Sequence, residues 1–488
     1  MAKFSELCQS ILVLNKHNSF DPFINGITSD SRKVKKNYIF AAIKGSNQNG
    51  TDFIVDAVKR GAKVVLVEKG YKNPFKVSDC IFFQSKNVRK TYAIMADNYY
   101  KKKPALMVGV TGTNGKTSTA WFTNRIWTLL GEKSASIGTL GVDIGSNIIK
   151  TNLTTPDPVV LSKTLRNLEN DSVKNTIIEV SSHGLSQHRL DGIKFSISAI
   201  TSLGRDHLDY HISYSQYVNA KLKLFSELTM EGGIAIINSG IKEFSLFKGA
   251  ANSKNLKVIT VGSKNNSDWN FKINNSDNNI KNIELLYKDK KSLLKTDIVG
   301  DFQISNLVMS IAIAVESGLE RNKVEKICCS LKAPPGRLER VGAINKSNTI
   351  FVDYAHTPDA LESALIALRP YVRNRLILVF GCGGDRDKGK RSLMGKIAHI
   401  NADKVFVTDD NPRNENPSLI RSEIISKCPG CAEIPDRKEA IYKAIKELKR
   451  GDVLLIAGKG HETTQVIKEN SIYFNDKEVV QKIIKMSI

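Results

Sequence analysis

Long apolar runs are missing from this 488-residue sequence. None approaches the ~18 residues that span a bilayer, which excludes a chain built around transmembrane helices. The opening residues, Met1 to Leu14, mix Lys3, Glu6 and Cys8 among apolar side chains and show no signal-peptide cleavage pattern. A cytoplasmic protein is therefore expected. Cysteine is scarce, with seven in all, and a cytosolic chain of this size builds no disulfide framework from them. Cys428-Pro-Gly-Cys431 has the spacing of a redox pair or a zinc half-site, but no second ligand pair accompanies it, so a structural turn is expected. Cys382, inside a glycine-rich loop, is placed near substrate. Acidic residues are also short: 49 against 72 Lys and Arg, a net charge of +23. Such an excess admits nucleic acid, a membrane surface or anionic small molecules as partners. The basic residues form no dominant block, since Lys101 to Lys103 and Lys288 to Lys291 are short runs. A generally basic surface suited to phosphate-bearing substrates is the favoured reading, with no nucleic acid and no membrane insertion.

What the sequence has is alternation. Short β-branched runs and helical stretches follow one another almost throughout, the pattern of α/β domains with largely parallel sheets. Strands are expected at Tyr38 to Ile43 and Lys63 to Glu68. Pro104 follows a lysine-rich stretch, and Ala333-Pro334-Pro335-Gly336 breaks both helix and strand and reads as a hinge. Three domains result: 1–103, 104–333 and 334–488. Between Gly262 and Lys295, polar residues interrupted by Phe271, Ile273, Ile280, Ile283 and Leu285 predict irregular β structure without chemistry.

Each polar motif follows an apolar run that reads as a strand, and ligands of open α/β sheets sit at the carboxyl ends of strands. Ala105 to Val110 leads into Thr111-Gly112-Thr113-Asn114-Gly115-Lys116-Thr117. The two glycines let backbone N–H groups curl around phosphates, and the following helix start favours the same negative charge. Lys116 is placed on the terminal phosphates and the Thr117 hydroxyl on magnesium. Val110 stands where the strict P-loop pattern has glycine, so the loop is a variant. Glu179 and His207 lie at or just beyond two further strand ends, as a carboxylate and an imidazole able to hold a divalent ion against phosphates. Lys221, on a predicted helix Tyr214 to Phe225, reads from spacing alone as a solvated charge. In the last domain Gly381 to Asp387, Asp409 to Arg413 and Gly458 to Glu462 follow strands. They predict a site for a zwitterionic ligand, with arginine forks for carboxylate and Glu462 for an amine.

The segments GTNGKTS (112–118), EVSSHGLSQHR (179–189), RDHLDYH (205–211), DYAHTPDAL (353–361), GCGGDRDKGKR (381–391), DDNPR (409–413) and AGKGHE (457–462) together resemble the Mur ligase family. The resemblance implies an ATP- and Mg2+-dependent amide ligase of peptidoglycan synthesis. Its three domains are a small N-terminal α/β domain for a UDP-linked substrate, a central P-loop ATPase-type parallel-sheet domain, and a C-terminal Rossmann-like domain for the incoming amino acid. It implies Ser29, Ser31, Ser46, Asn47 and Gln48 at the nucleotide-sugar end, and Thr154, Thr155, Ser181, Gln187 and Arg189 on the muramoyl-peptide. Gly112 to Thr117 would take ATP, assisted by Asn306, Arg337 and Asp353, with Thr117, Glu179 and His207 on magnesium. Lys221 matches a lysine that the family carboxylates. The partners implied are UDP-N-acetylmuramoyl-L-alanyl-D-glutamate and meso-diaminopimelate, the latter on Arg386, Asp410, Asn411, Pro412, Arg413, Gly458 and Glu462, with the enzyme a monomer. Two rivals stand beside it. A nucleic-acid-dependent P-loop ATPase would use the basic charge, and a folylpolyglutamate synthetase would lack the amino-terminal segment around Asp30-Ser31-Arg32.

Overall fold

The computed structural model describes residues 1–11, 21–45, 48–72, 80–145, 147–151, 153–264, 266–275, 280–344 and 348–487. By internal packing the chain divides into two units, Met1–Asp268 with Met309–Val324, and Trp269–Val308 with Glu325–Ile488. Among the described residues no helix is long and apolar enough to cross a membrane.

Beside a short antiparallel pairing of Ala2–Lys3 with Phe23–Ile24, the described residues of the first unit form two larger sheets. A small one pairs Gly26–Thr28, Tyr38–Ala41, Ala62–Glu68 and Ile81–Ser85, all parallel. In the larger one Leu106–Thr111 lies between Asn175–Glu179 and Phe195–Ile200, with parallel neighbours Ser134–Gly138 on one side and Thr229–Asn238 on the other. Its central strands Leu106–Thr111, Asn175–Glu179 and Phe195–Ile200 are buried on both faces along most of their length, so apolar residues dominate them. Parallel pairing fixes the function-bearing ends together: Glu179 pairs with Val110, and Ile178 with Ile137. Helix Tyr214–Lys223, capped by the Ser213 hydroxyl on Gln216 N–H, carries Lys221 in its last turn.

In the second unit the sheet order is Glu339–Gly342, Thr349–Asp353, Val453–Ala457, Leu376–Phe380, Lys404–Val407 and Ala432–Glu433, antiparallel only at the first pair. Leu376, Leu378 and Phe380 enter one core while Ile377 and Val379 enter the other, the period-2 signature of a sheet covered on both sides. Cys382 belongs to the first of these cores, its thiol 3.7 Å from Met394 Sδ, and burial pushes it up to about 12. It packs in the core, and no feature of its surroundings marks it as a nucleophile. The Cys428–Cys431 segment is a turn, with Cys431 N–H donating to the Cys428 carbonyl at 3.4 Å, and both thiols are free. The polar stretch after Gly262 is more regular than expected. Trp269–Asn275, Lys281–Tyr287 and Lys290–Thr296 form an antiparallel meander. Alternate residues Trp269, Phe271, Ile283, Leu285 and Tyr287 are buried, enough to order an otherwise polar sequence.

One buried ion pair ties the last helix to the site-bearing strands. Arg437 donates from Nε and Nη2 to the two Asp476 carboxylate oxygens, each at 2.8 Å, and from Nη2 to the Ala457 carbonyl at 2.9 Å. Both side chains are fully buried. Removing one partner leaves a buried charge unpaired, which costs about 3–5 kcal/mol. Asp476→Ala should lower the unfolding free energy by about that amount in urea titrations. Glu439→Ala, which breaks the half-exposed Lys443 pair at 2.8 Å, should change it by less than about 1 kcal/mol.

Candidate active site

The loop after Leu106–Thr111 is built on positive-φ glycines. Gly112 has φ 151° and Gly115 φ 89°, and helix Lys116–Leu129 starts directly after Gly115. No side chain fits at Gly112, where a Cβ would lie 2.1 Å from Thr201 Oγ1. The loop is pinned by Thr113 N–H on the Ser202 carbonyl (2.8 Å), Asn114 N–H on Ser202 Oγ (3.0 Å) and Thr113 Oγ1 on the Tyr217 hydroxyl (2.7 Å). Lys116 Nζ donates to the carbonyls of Gly112 and Thr113, both at 2.8 Å, so the ammonium rests against its own loop. Backbone donors, a helix start and a lysine on one glycine-bounded loop are the features a phosphate site requires.

Glu179, 2% exposed, faces this loop. Its Oε2 accepts from Thr117 Oγ1 at 2.9 Å and Thr139 Oγ1 at 3.0 Å, and its Oε1 from Thr139 N–H at 2.9 Å. Thr155 Oγ1 donates to the Glu179 carbonyl at 2.8 Å and lies 3.0 Å from Ser181 Oγ. Arg189 donates to the Thr155 carbonyl at 2.7 Å and to Gln187 at 2.6 Å. Thr154, Thr155, Ser181, Gln187 and Arg189 therefore form one continuous network with the phosphate loop. Ser29, Gln187 and Arg189 line a pocket with Arg89, Tyr92 and Asp157, three residues that sequence reasoning missed. Ser31 is buried at the start of the short helix Ser31–Lys33, and Gln48 is exposed, with its carbonyl accepting from Gly45 N–H at 2.9 Å. Ser46 and Asn47 lie outside the described residues.

His207, at φ 54°, sits 3.4 Å from Asp206 and packs edge-on against His183, with ring centroids 4.6 Å apart. Among the described residues no three His, Cys, Asp or Glu side chains stand together as a ready ligand set. The oxygen donors beside the loop are Thr117 and Glu179, hard ligands of the kind Mg2+ takes. Lys221 is not the solvated charge its spacing predicted. It is 1% exposed, donates to the Gly112 carbonyl at 2.9 Å and lies 4.5 Å from the Tyr217 ring centre. Burial, with added repulsion from Lys116, pushes its amine well below the usual lysine range.

In the second unit the three loops do converge. Asn411 Nδ2 donates to Glu462 Oε2 at 2.9 Å, and the buried Lys459 ammonium bridges Asn411 Oδ1 (3.1 Å) and Glu462 Oε2 (3.2 Å). Lys459 escaped sequence reasoning because a lysine between glycines reads as a loop charge. At Gly458 a Cβ would lie 2.6 Å from Asp410 Oδ2, so a glycine there lets the two loops meet. Arg413 has φ 52°, and its Nη1 donates to the Gly384 carbonyl at 2.7 Å. The neighbouring Pro412 carbonyl lies where a Gly384 side chain would begin, 1.9 Å from its Cβ position. Arg386 is exposed on the same loop. Asp353 accepts from the N–H groups of Leu338 and Ala355, and burial pushes its carboxyl up to about 6 against the pull of Arg337. Arg337 stacks 4.4 Å over the Tyr354 ring. Gln303 joins Asn306 to the Arg337 carbonyl.

Three family models match in chain order: the Mur ligase family catalytic domain over residues 23–104, the Mur ligase middle domain over 110–314, and the Mur ligase glutamate ligase domain over 336–460. The UDP-N-acetylmuramoyl-L-alanyl-D-glutamate–2,6-diaminopimelate ligase of Brucella melitensis is 42% identical over 453 residues, covering 93% of this chain and 92% of its own. The same-named ligase of Rickettsia conorii is 42% identical over 471 residues, covering 95% and 96%. A solved structure bearing that ligase name superposes with a TM-score of 0.72 at 30% identity, over 99% of both chains. The MurF ligase of Thermotoga maritima in complex with ADP shares the fold, with a TM-score of 0.64 at 18% identity, covering 94% of this chain and 97% of its own. Order, coverage and the geometry of both loop clusters agree: the chain belongs to the Mur ligase family.

Proposed function

We propose that this chain is an ATP-dependent acid–amino-acid ligase that joins meso-2,6-diaminopimelate to UDP-N-acetylmuramoyl-L-alanyl-D-glutamate through an acyl phosphate. Residues 1–103 bind the UDP end, 104–333 the nucleotide, and 334–488 the amino acid. One observation carries the reading: the phosphate loop and the Thr154–Thr155–Ser181 network meet at one strand end, that of Glu179. A phosphoryl donor and an acceptor carboxylate are thereby held side by side.

The chemistry follows from charge. A carboxylate is a poor electrophile, so its oxygen first attacks the γ-phosphorus, and the bond from that phosphorus to the β–γ bridging oxygen breaks as ADP departs. Lys116 swings from its loop carbonyls onto the charge that develops. Thr117 and Glu179, with His207, would hold Mg2+, whose charge neutralises phosphate oxygens. The amino group of the incoming amino acid then adds to the acyl carbon, and the tetrahedral adduct collapses to amide and inorganic phosphate. Burial lowers the pKa of Lys221 and so favours the uncharged amine, the form that adds to carbon dioxide with loss of a proton. The carbamate so formed carries negative charge beside the phosphate loop.

Arg413 separates meso-diaminopimelate from L-lysine, which lacks the distal carboxylate. A guanidinium fork pairs with that carboxylate bidentately, and Asn411 and Glu462 receive the neighbouring ammonium. A lysine substrate would leave Arg413 unpaired in a half-buried site.

Lys116→Ala should fold normally yet lose at least about 100-fold in phosphate release with both substrates present. Release stimulated by nucleic acid, and not by these substrates, would instead favour a nucleic-acid-dependent ATPase. Lys221→Ala should be nearly inactive, with partial rescue by short carboxylic acids. Wild type fed carbon-labelled bicarbonate should give a carbamate signal by NMR, and an active enzyme with a free amine at Lys221 would exclude the modification. Arg413→Ala should lose about 2–5 kcal/mol of the preference for meso-diaminopimelate over L-lysine, read as the ratio of kcat/KM values.

A further inference from the structure

Thr139 appears in none of the motifs that carry the family resemblance, yet it makes two of the three hydrogen bonds described for the Glu179 carboxylate. The site is built to that placement. The Ser134–Gly138 strand runs parallel to Asn175–Glu179, with Ile137 opposite Ile178, which brings Gly138 and Thr139 level with Glu179. At Gly138 a Cβ would lie 2.1 Å from Glu179 Oε1, so only glycine lets the carboxylate lie against this strand end.

The Thr139 hydroxyl has a third neighbour. Its Oγ1 lies 3.1 Å from Thr154 Oγ1, and either oxygen can be the donor by geometry. A hydroxyl has one proton. Because Thr139 gives its proton to the carboxylate, Thr154 must give its own to Thr139. The result is a directed chain, Thr154 O–H to Thr139 Oγ1 and Thr139 O–H to Glu179 Oε2, whose far end is the Thr117 hydroxyl on the same carboxylate oxygen. Hydrogen bonds in series polarise one another. A ligand group that donates to Thr154 makes it a stronger donor, and the effect passes to the carboxylate beside the phosphate loop.

We infer that Thr139 is a positioning residue that couples occupancy of the muramoyl-peptide loop at Thr154 to the hold of Glu179 on the nucleotide site. The inference rests on the ligase reading above. It makes nucleotide affinity depend on whether the acceptor is in place, and it assigns that dependence to one hydroxyl.

The test uses binding instead of turnover. Affinity of the full-length protein for Mn2+·ADP, followed by the paramagnetic signal of unbound Mn2+, is measured with and without UDP-N-acetylmuramoyl-L-alanyl-D-glutamate. In wild type the acceptor should tighten Mn2+·ADP by about fivefold or more, the scale of ordinary two-site coupling. Thr139→Val keeps the backbone donor and the side-chain shape but removes the hydroxyl. It should bind Mn2+·ADP several-fold more weakly and show no response to the acceptor, while Thr139→Ser restores both. Thr139→Ala, measured alongside at acceptor concentrations that saturate the protein, should likewise abolish the response, and it carries the test alone if Thr139→Val does not fold. An unchanged acceptor response in Thr139→Val, or in Thr139→Ala, overturns the coupling. A wild type that binds Mn2+·ADP but not the acceptor overturns the ligase reading itself.

Discussion

Everything in the first unit turns on where a buried carboxylate can find donors. Glu179 ends a strand enclosed on both sides, so water does not solvate it, and protein groups must. The three donors come from two segments: Thr117 from the helix after the phosphate loop, and the main chain and side chain of Thr139 from just past the neighbouring strand. Its own carbonyl accepts from Thr155. Four segments distant in sequence are thus fixed relative to one carboxyl group. The parallel sheet makes this possible, because parallel pairing delivers the ends of successive strands, and their loops, to the same edge.

The second unit uses buried charge differently. Arg437 and Asp476 neutralise each other in a fully dry setting and act as a clasp between the last helix and the end of the Val453–Ala457 strand. Lys459 is also fully buried, but its partners Asn411 and Glu462 are the side chains assigned to a ligand. Its charge holds two loops in register before any ligand arrives. Preorganisation of this kind lowers the ordering cost of binding.

Strand positions and the phosphate loop were legible in the sequence because both depend on local pattern. Leu376 to Phe380 announces a strand buried on two faces, and Gly112 and Gly115 mark backbone that only glycine enters easily. Side-chain surroundings were not legible. Lys221 looks solvated from its helix spacing, and its burial depends on the packing of Tyr217 and the loop carbonyl at Gly112. Thr139 gains its role only from the register between two strands far apart in the chain. Cys382 shows the opposite failure: a glycine-rich neighbourhood looks functional, while the thiol itself turns into the core.

The posture of Lys116 has a consequence for what the phosphate loop admits. Its ammonium already satisfies two carbonyls of its own loop, each at 2.8 Å. An entering anion must outcompete those internal acceptors before it gains anything from the lysine. A single weakly basic anion such as chloride offers too little to dislodge it, whereas a chain of phosphates presents several strong acceptors to the loop N–H groups and the ammonium together. On the ligase reading, the loop's own carbonyls act as a built-in competitor, which favours ligands of high charge density.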